Sequence, residues 1–190
     1  LFHNLFGEYP FIKEKYGHVQ FSWGGGMEHQ TATFIVNAGE SLMAHELAHQ
    51  WWGNKVVGKS YHDLWITEGF STYLGYMSLM SKSPDGRQFQ EVMRISRQKL
   101  QTEGKDHLSA ESTGPVWLGT RLRSSKFPDG YMTVVYEKGA WIFHMLRYLV
   151  QSSSTSSEPR FQVFVKELMS TYSGRLITTA DLQRVAEEHL

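Results

Sequence analysis

The hydrophobic positions of the chain alternate near its start and then settle into helical spacing. Residues 1–6 read as the end of a helix, which "GEYPF" breaks. "GHVQFSW" and "TATFIV" alternate well enough to be strands, and between them "GGGMEHQ" lets the backbone bend or lets another group approach it closely. A helix is expected over about 41–53, where Met43, Leu47 and Trp51 form an i, i+4, i+8 stripe facing the core. A second, about 65–82, carries Ile66, Phe70, Tyr73, Leu74 and Met77, and a third, about 86–102, carries Phe89, Val92, Met93 and Leu100. From Glu103 to Gly130 the chain is rich in Gly, Ser and Pro, a length of loop that is usually functional or mobile. A helix follows over roughly 132–150, then the polar linker "QSSSTSSEP". Beyond it Phe161, Phe164, Val165, Leu168, Met169 and Tyr172 recur at helical spacing, and "TTAD" resembles a capping box opening a last helix near residue 180. The fold class this predicts is α+β: mostly helical, with a small antiparallel sheet edge.

Composition narrows the function without naming it. At 190 residues and 41% hydrophobic, the chain can bury one core. Nineteen basic residues balance nineteen acidic ones, so no long-range field draws it to nucleic acid or to an anionic membrane. No apolar run approaches the roughly 18 to 20 residues of a membrane span, and the compartment stays open. Without cysteine, any transition metal must rest on histidine and carboxylate. The chain starts with leucine, and the expectation is that it is a piece of something longer.

"MAHELAHQWWGN" changes the picture. In a helix, positions i and i+4 lie one above the other, so His45 and His49 can direct imidazole nitrogens at one point, with Glu46 beside it. Three specified residues also arise by chance, as polar residues on an exposed helix face. Catalytic zinc usually takes three protein ligands, and eighteen residues separate His49 from Glu68 in "WITEGFSTY". Glu68 opens the second helix amid Trp65, Ile66 and Phe70, a poor place for an unpaired charge. A metal would satisfy it; so, less specifically, would the positive end of a helix dipole.

These segments carry a resemblance. "HELAHQWWGN", the eighteen-residue gap and "WITEGFSTY" resemble the zinc-binding segments of the gluzincin aminopeptidases, the family containing aminopeptidase N and the leukotriene hydrolase. "GGGMEHQ" resembles that family's GxMEN exopeptidase motif, and "VVYEKGA" the segment with its catalytic tyrosine; all four occur in the family's order within about residues 10–150. The resemblance implies a thermolysin-like catalytic domain over 1–150, its amino-terminal part missing, with 151–190 a helical continuation. It implies one zinc per chain on His45, His49 and Glu68, with Glu46 the general base and Tyr136 the donor to the oxyanion; Tyr131 would be a lesser neighbour. Gly25, Gly26, Met27 and Glu28 would bind substrate, Glu28 taking the free α-ammonium of a peptide and the others presenting backbone to it. The sequence departs from the family at His29, where the usual residue is asparagine. An upstream β domain of the same protein is implied as a partner.

The leading reading is thus a zinc-dependent aminopeptidase acting on peptides with a free amino terminus. The rivals are a zinc endopeptidase, for which Glu28 is irrelevant, and a zinc-containing scaffold without catalysis; an epoxide hydrolase activity is known for one branch of the family. No role is assigned to His18, His62, His107, His144 or His189, and Arg121 and Arg123 read more simply as solvated loop charges.

Overall fold

The computed structural model describes residues 1–83, 85–102, 109–122, 128–151 and 159–190, without the side chains of 120–122. The linker over 152–158, His107 and Arg123 lie outside the described residues, as does the side chain of Arg121. The chain opens with helix α1 (Phe2–Phe6), then strands β1 (Gly17–Gln20), β2 (Gly26–Met27) and β3 (Ala32–Ile35). Helix α2 (Glu40–Ala48), the short strand β4 (Val57–Gly58), helix α3 (Leu64–Ser78) and helix α4 (Arg87–Gln101) follow. Two short 3-10 segments, Ala110–Thr113 and Val116–Leu122, occupy part of the expected long loop. A π-helical turn (Met132–Lys138) runs straight into α5 (Gly139–Gln151), and α6 (Arg160–Tyr172), β5 (Leu176–Ile177) and α7 (Thr179–Glu188) complete the chain. Among the described residues no helix is long and apolar enough to cross a membrane.

Helix α3 is the axis of the molecule. Its helical period buries Trp65, Ile66, Phe70, Tyr73, Leu74 and Met77 on several sides at once, so it packs against α2, the π turn and α5 together. The centre is aromatic: Phe70 stacks on Phe143 of α5 with ring centroids 4.2 Å apart and meets Trp52 edge-on at 4.9 Å. Phe161, Phe164, Val165 and Leu168 of α6 belong to the same buried cluster. Helix α7 is opened by the expected capping box: Thr178 Oγ1 accepts from the Asp181 N–H at 3.1 Å, and Asp181 Oδ2 accepts from the Thr178 N–H at 3.0 Å.

The small sheet has the expected antiparallel edge, where β2 pairs with β3, and adds a parallel pairing of β3 with β1. Its order is β1-β3-β2. The glycines are the physical reason. Gly25 sits at φ +85°, and its carbonyl accepts from the Val36 N–H at 3.0 Å, so the chain passes around the end of β3 and returns along its other edge. "GGGMEHQ" therefore contributes a strand of its own rather than only a bend. Helix α2 also differs: it stops at Ala48, and of the stripe Met43, Leu47 and Trp51 only Trp51 is buried. The buried side instead carries Glu46, Ala48, His49 and Gln50, three of them polar. Buried polar groups need partners: His49 and Gln50 are hydrogen-bonded, whereas Glu46 keeps an oxygen without one.

Candidate metal centre

His45 lies in the last turn of α2 and His49 caps it at φ −60°, ψ −20°, still helical, so the two rings remain one turn apart although the helix ends early. Helix α3 crosses α2 closely because residue 75 is glycine: a Cβ there would fall 2.8 Å from the Ser41 carbonyl oxygen and 3.4 Å from His45 Cβ. That crossing brings Glu68 to the histidines. Glu68 Oε2 lies 3.2 Å from His49 Nε2 and 3.7 Å from His45 Nε2, and the two Nε2 atoms are 3.0 Å apart. Ligand bonds of about 2.0–2.2 Å at tetrahedral angles set donor atoms about 3.3–3.6 Å from one another. The three observed separations bracket that range, so the donors fit a single zinc-sized ion.

The outer nitrogens are committed. His49 Nδ1 faces the Trp52 carbonyl oxygen at 2.7 Å, which can only accept, so Nδ1 carries the proton. Thr72 donates its hydroxyl to the Glu68 carbonyl oxygen at 2.7 Å; His45 Nδ1, 3.4 Å from that hydroxyl oxygen, is then the donor there. Both inner Nε2 atoms are left to face the same point as Glu68, the orientation a metal-bound histidine needs. The charges agree. Burial pushes the His45 pKa down to about 3, with His49 adding to the effect. Burial also opposes charge on His49, yet the Glu68 carboxylate outweighs it and lifts that pKa to about 9. Glu68 is itself buried, but the imidazoles hold it below the usual carboxylate range. The centre favours one positive charge at the point where the three donors meet.

Glu46 stands beside this point, only 3% exposed, and its Oε2 has no hydrogen-bond partner. Burial raises its pKa to about 7, against the pull of His49 and with the help of Glu28 and Glu68. Strand β2 lies directly on it. A Cβ at Gly26 would come within 2.8 Å of Glu46 Cγ and closer still to its carboxyl group, so a side chain here would displace the Glu46 carboxyl group. Tyr136 enters from the π turn, its ring stacked 6.0 Å from that of His45 and meeting that of Tyr131 edge-on at 6.1 Å. Burial and the Glu68 carboxylate raise its pKa well above the ordinary phenol value, which keeps the O–H as a donor. π-helical turns of this kind occur often at functional sites.

These groups line one cleft of about 530 Å³, together with Gly24, Gly25, Gly26 and Glu28. Met27 does not line it: successive strand residues face opposite ways, and Met27, between Gly26 and Glu28, is 41% exposed elsewhere. His29 turns its ring against Phe34, centroids 5.2 Å apart. Sequence reasoning missed Thr72, Tyr76, Lys99 and Glu137, all in the cleft wall. Glu137, next to Tyr136, is buried; it accepts from the Tyr76 hydroxyl at 2.6 Å and from Lys99 Nζ, which ties the π turn to α3 and α4. Nothing in their spacing marks these residues. Of the histidines without an assigned role, His62 bonds the Trp117 carbonyl oxygen, His144 the Tyr73 hydroxyl and His189 the Glu167 carboxylate, all away from the cleft.

Comparison with known proteins follows the same lines. Leucine aminopeptidase 2 of Aspergillus clavatus is 26% identical over 186 residues, covering 92% of this chain and 29% of that protein. The M1 zinc metallopeptidase of Deinococcus radiodurans superimposes with a TM-score of 0.74 at 25% identity, over 99% of this chain and 38% of that one. The leukotriene A4 hydrolase of Saccharomyces cerevisiae shares the fold, with a TM-score of 0.73 at 23% identity, over 98% of this chain and 30% of that one. The chain thus spans about three tenths of the length of the curated relative and under two fifths of these solved structures. The family model described as the peptidase family M1 domain matches residues 5–190, and the chain belongs to that family.

Proposed function

We propose that the chain carries the catalytic site of a zinc-dependent aminopeptidase, with His45, His49 and Glu68 as ligands of one zinc ion. The observation that supports this best is the convergence of those three donors, all within 4.8 Å of one another, beside a buried carboxylate with an unpartnered oxygen. A zinc ion held there supplies the charge that acidifies a water and polarises a peptide carbonyl. Glu46 Oε2 takes the proton of the attacking water and passes it to the leaving amine. The Tyr136 hydroxyl donates to the carbonyl oxygen as that oxygen gains negative charge. Glu28, on the cleft wall, pairs with the substrate's α-ammonium and thereby fixes which bond reaches the metal. The backbone of Gly25 and Gly26 lies along the path of an extended peptide, and Met27 takes part through its main chain alone. The segment 151–190 is proposed as a continuation of the catalytic domain, since the buried face of α6 joins the cluster centred on Phe70.

The test is a panel of aminoacyl reporter amides and short peptides offered with free and with acetylated amino termini. Cleavage confined to free amines is expected. Equal cleavage of acetylated peptides would make the protein an endopeptidase and remove Glu28 from the account.

A further inference from the structure

Residues 28–31, between β2 and β3, carry Glu28 into the cleft, and strand residues satisfy their backbone only in part: the Thr31 carbonyl oxygen accepts from the Gly17 N–H at 3.0 Å and the His29 carbonyl oxygen from the Ala32 N–H at 3.1 Å. Two side-chain amides add further bonds to this backbone, and both come from the segment that bears the metal ligands. Gln50 follows His49 directly and is fully buried. Its Oε1 accepts from the Thr31 N–H at 2.9 Å and from the Tyr9 hydroxyl at 3.3 Å. Its Nε2 donates to the carbonyl oxygens of Glu28, at 3.5 Å, and His29, at 3.4 Å. Asn54 Nδ2 donates to the same Glu28 carbonyl oxygen at 2.7 Å. Thr31 stands at φ +60°, the one non-glycine residue with positive φ among the described residues. A β-branched residue holds that conformation only where its surroundings impose it. Here the bond from its N–H to Gln50 is part of what imposes it.

We propose that Gln50 and Asn54 are positioning residues that lock the Glu28 loop to the metal-bearing helix and so set the separation between the substrate's amine site and the metal centre. This rests on the reading of Glu28 as the amine-binding carboxylate. Cutting one residue from a free amino terminus requires that separation to be held within about half an ångström. A loop joined to the site only through its flanking strands would not hold it, because β2 has two residues and β3 four. The two amides give a shorter route. From His49 to the Glu28 backbone the connection runs through a single side chain, Gln50, and Asn54 fixes the same carbonyl from the turn after α2. Neither amide lines the cleft.

The test compares Asn54→Ala and Gln50→Met with the parent protein, each loaded with zinc, using alanine amide and N-acetyl-alanine amide as ligands in an NMR titration. The expected result is weakening for alanine amide by about tenfold, the scale of one such hydrogen bond, with N-acetyl-alanine amide and zinc stoichiometry unchanged. In turnover the same variants should raise KM for free-amine substrates and change kcat less than KM. Should Asn54→Ala fail to fold, Asn54→Leu keeps nearly the same size without the donor or any added charge, and is read the same way. Equal weakening of both ligands, or of neither, overturns the inference. Glu28→Ala separates the two levels. If it abolishes the preference for the free amine while the Asn54 and Gln50 variants keep it, positioning is wrong and the proposed function stands. If Glu28→Ala keeps the preference, the reading of Glu28 falls and the inference with it.

Discussion

Tyr136 is the residue on which the division of labour in the cleft can be seen most simply. Its phenol is held protonated by burial and by the nearby Glu68 carboxylate, and its ring lies against His45, so it can donate without being a ligand. Tyr136→Phe should therefore lower kcat by about 10²–10³, the usual cost of one oxyanion donor, and leave zinc affinity nearly unchanged. Steady-state kinetics with metal analysis check this; a change confined to KM would place the residue in substrate binding instead. At this scale the sequence was legible where chemistry imposes spacing. His45, Glu46, His49 and Glu68 stand at intervals a helix and a metal require, and the structure brings them together. Thr72, Gln50 and Asn54 were not legible, because each acts on a backbone carbonyl or a single ring nitrogen, and such bonds leave no periodic trace. That the Met27 side chain faces away from the cleft was not legible from the motif, which names consecutive residues where a strand presents only alternate ones.

Among the elements, the decisive contact is the crossing of α3 with the start of α5. Gly69 and Gly139 meet backbone to backbone: a Cβ on Gly69 would lie 2.6 Å from Gly139 Cα, and one on Gly139 would lie 2.8 Å from Gly69 Cα. Glu68 is the neighbour of the first glycine and Tyr136 stands one turn before the second, so this approach helps set the distance between the proposed ligand and the proposed donor. Gly69→Ala must push the two elements apart. The expected loss is about 1–3 kcal/mol, a Tm lower by about 3–10 °C, together with reduced turnover. Thermal denaturation measures it, and an unchanged Tm with full turnover would contradict the account. The helices α3, α4 and α6 were readable because each repeats its apolar face over several turns. The parallel pairing of β1 with β3 was not legible, because strand periodicity says nothing about which neighbour a strand takes. The π turn escaped for a related reason: over seven residues its hydrophobic pattern does not differ enough from that of an α-helix.

Over the whole molecule, the site is a product of the fold rather than of any one segment. Its groups come from β2 and the loop after it, α2, α3 and the π turn, which are separated by up to about 110 residues of chain from Glu28 to Tyr136. Only burial around α3 assembles them. That burial leaves Glu46 with an oxygen that no other group satisfies, next to three donors that favour a positive charge. In the proposed function, metal binding and proton transfer would therefore rest on different residues, the first on His45, His49 and Glu68, the second on Glu46. The most direct measurement is zinc stoichiometry and turnover of an aminoacyl amide, determined on the same samples of the parent protein and of Glu46→Gln. The account predicts one zinc in each and turnover in the parent alone, because the amide keeps the shape of the site but accepts no proton. Full turnover in Glu46→Gln, or a parent that binds no zinc, would contradict it.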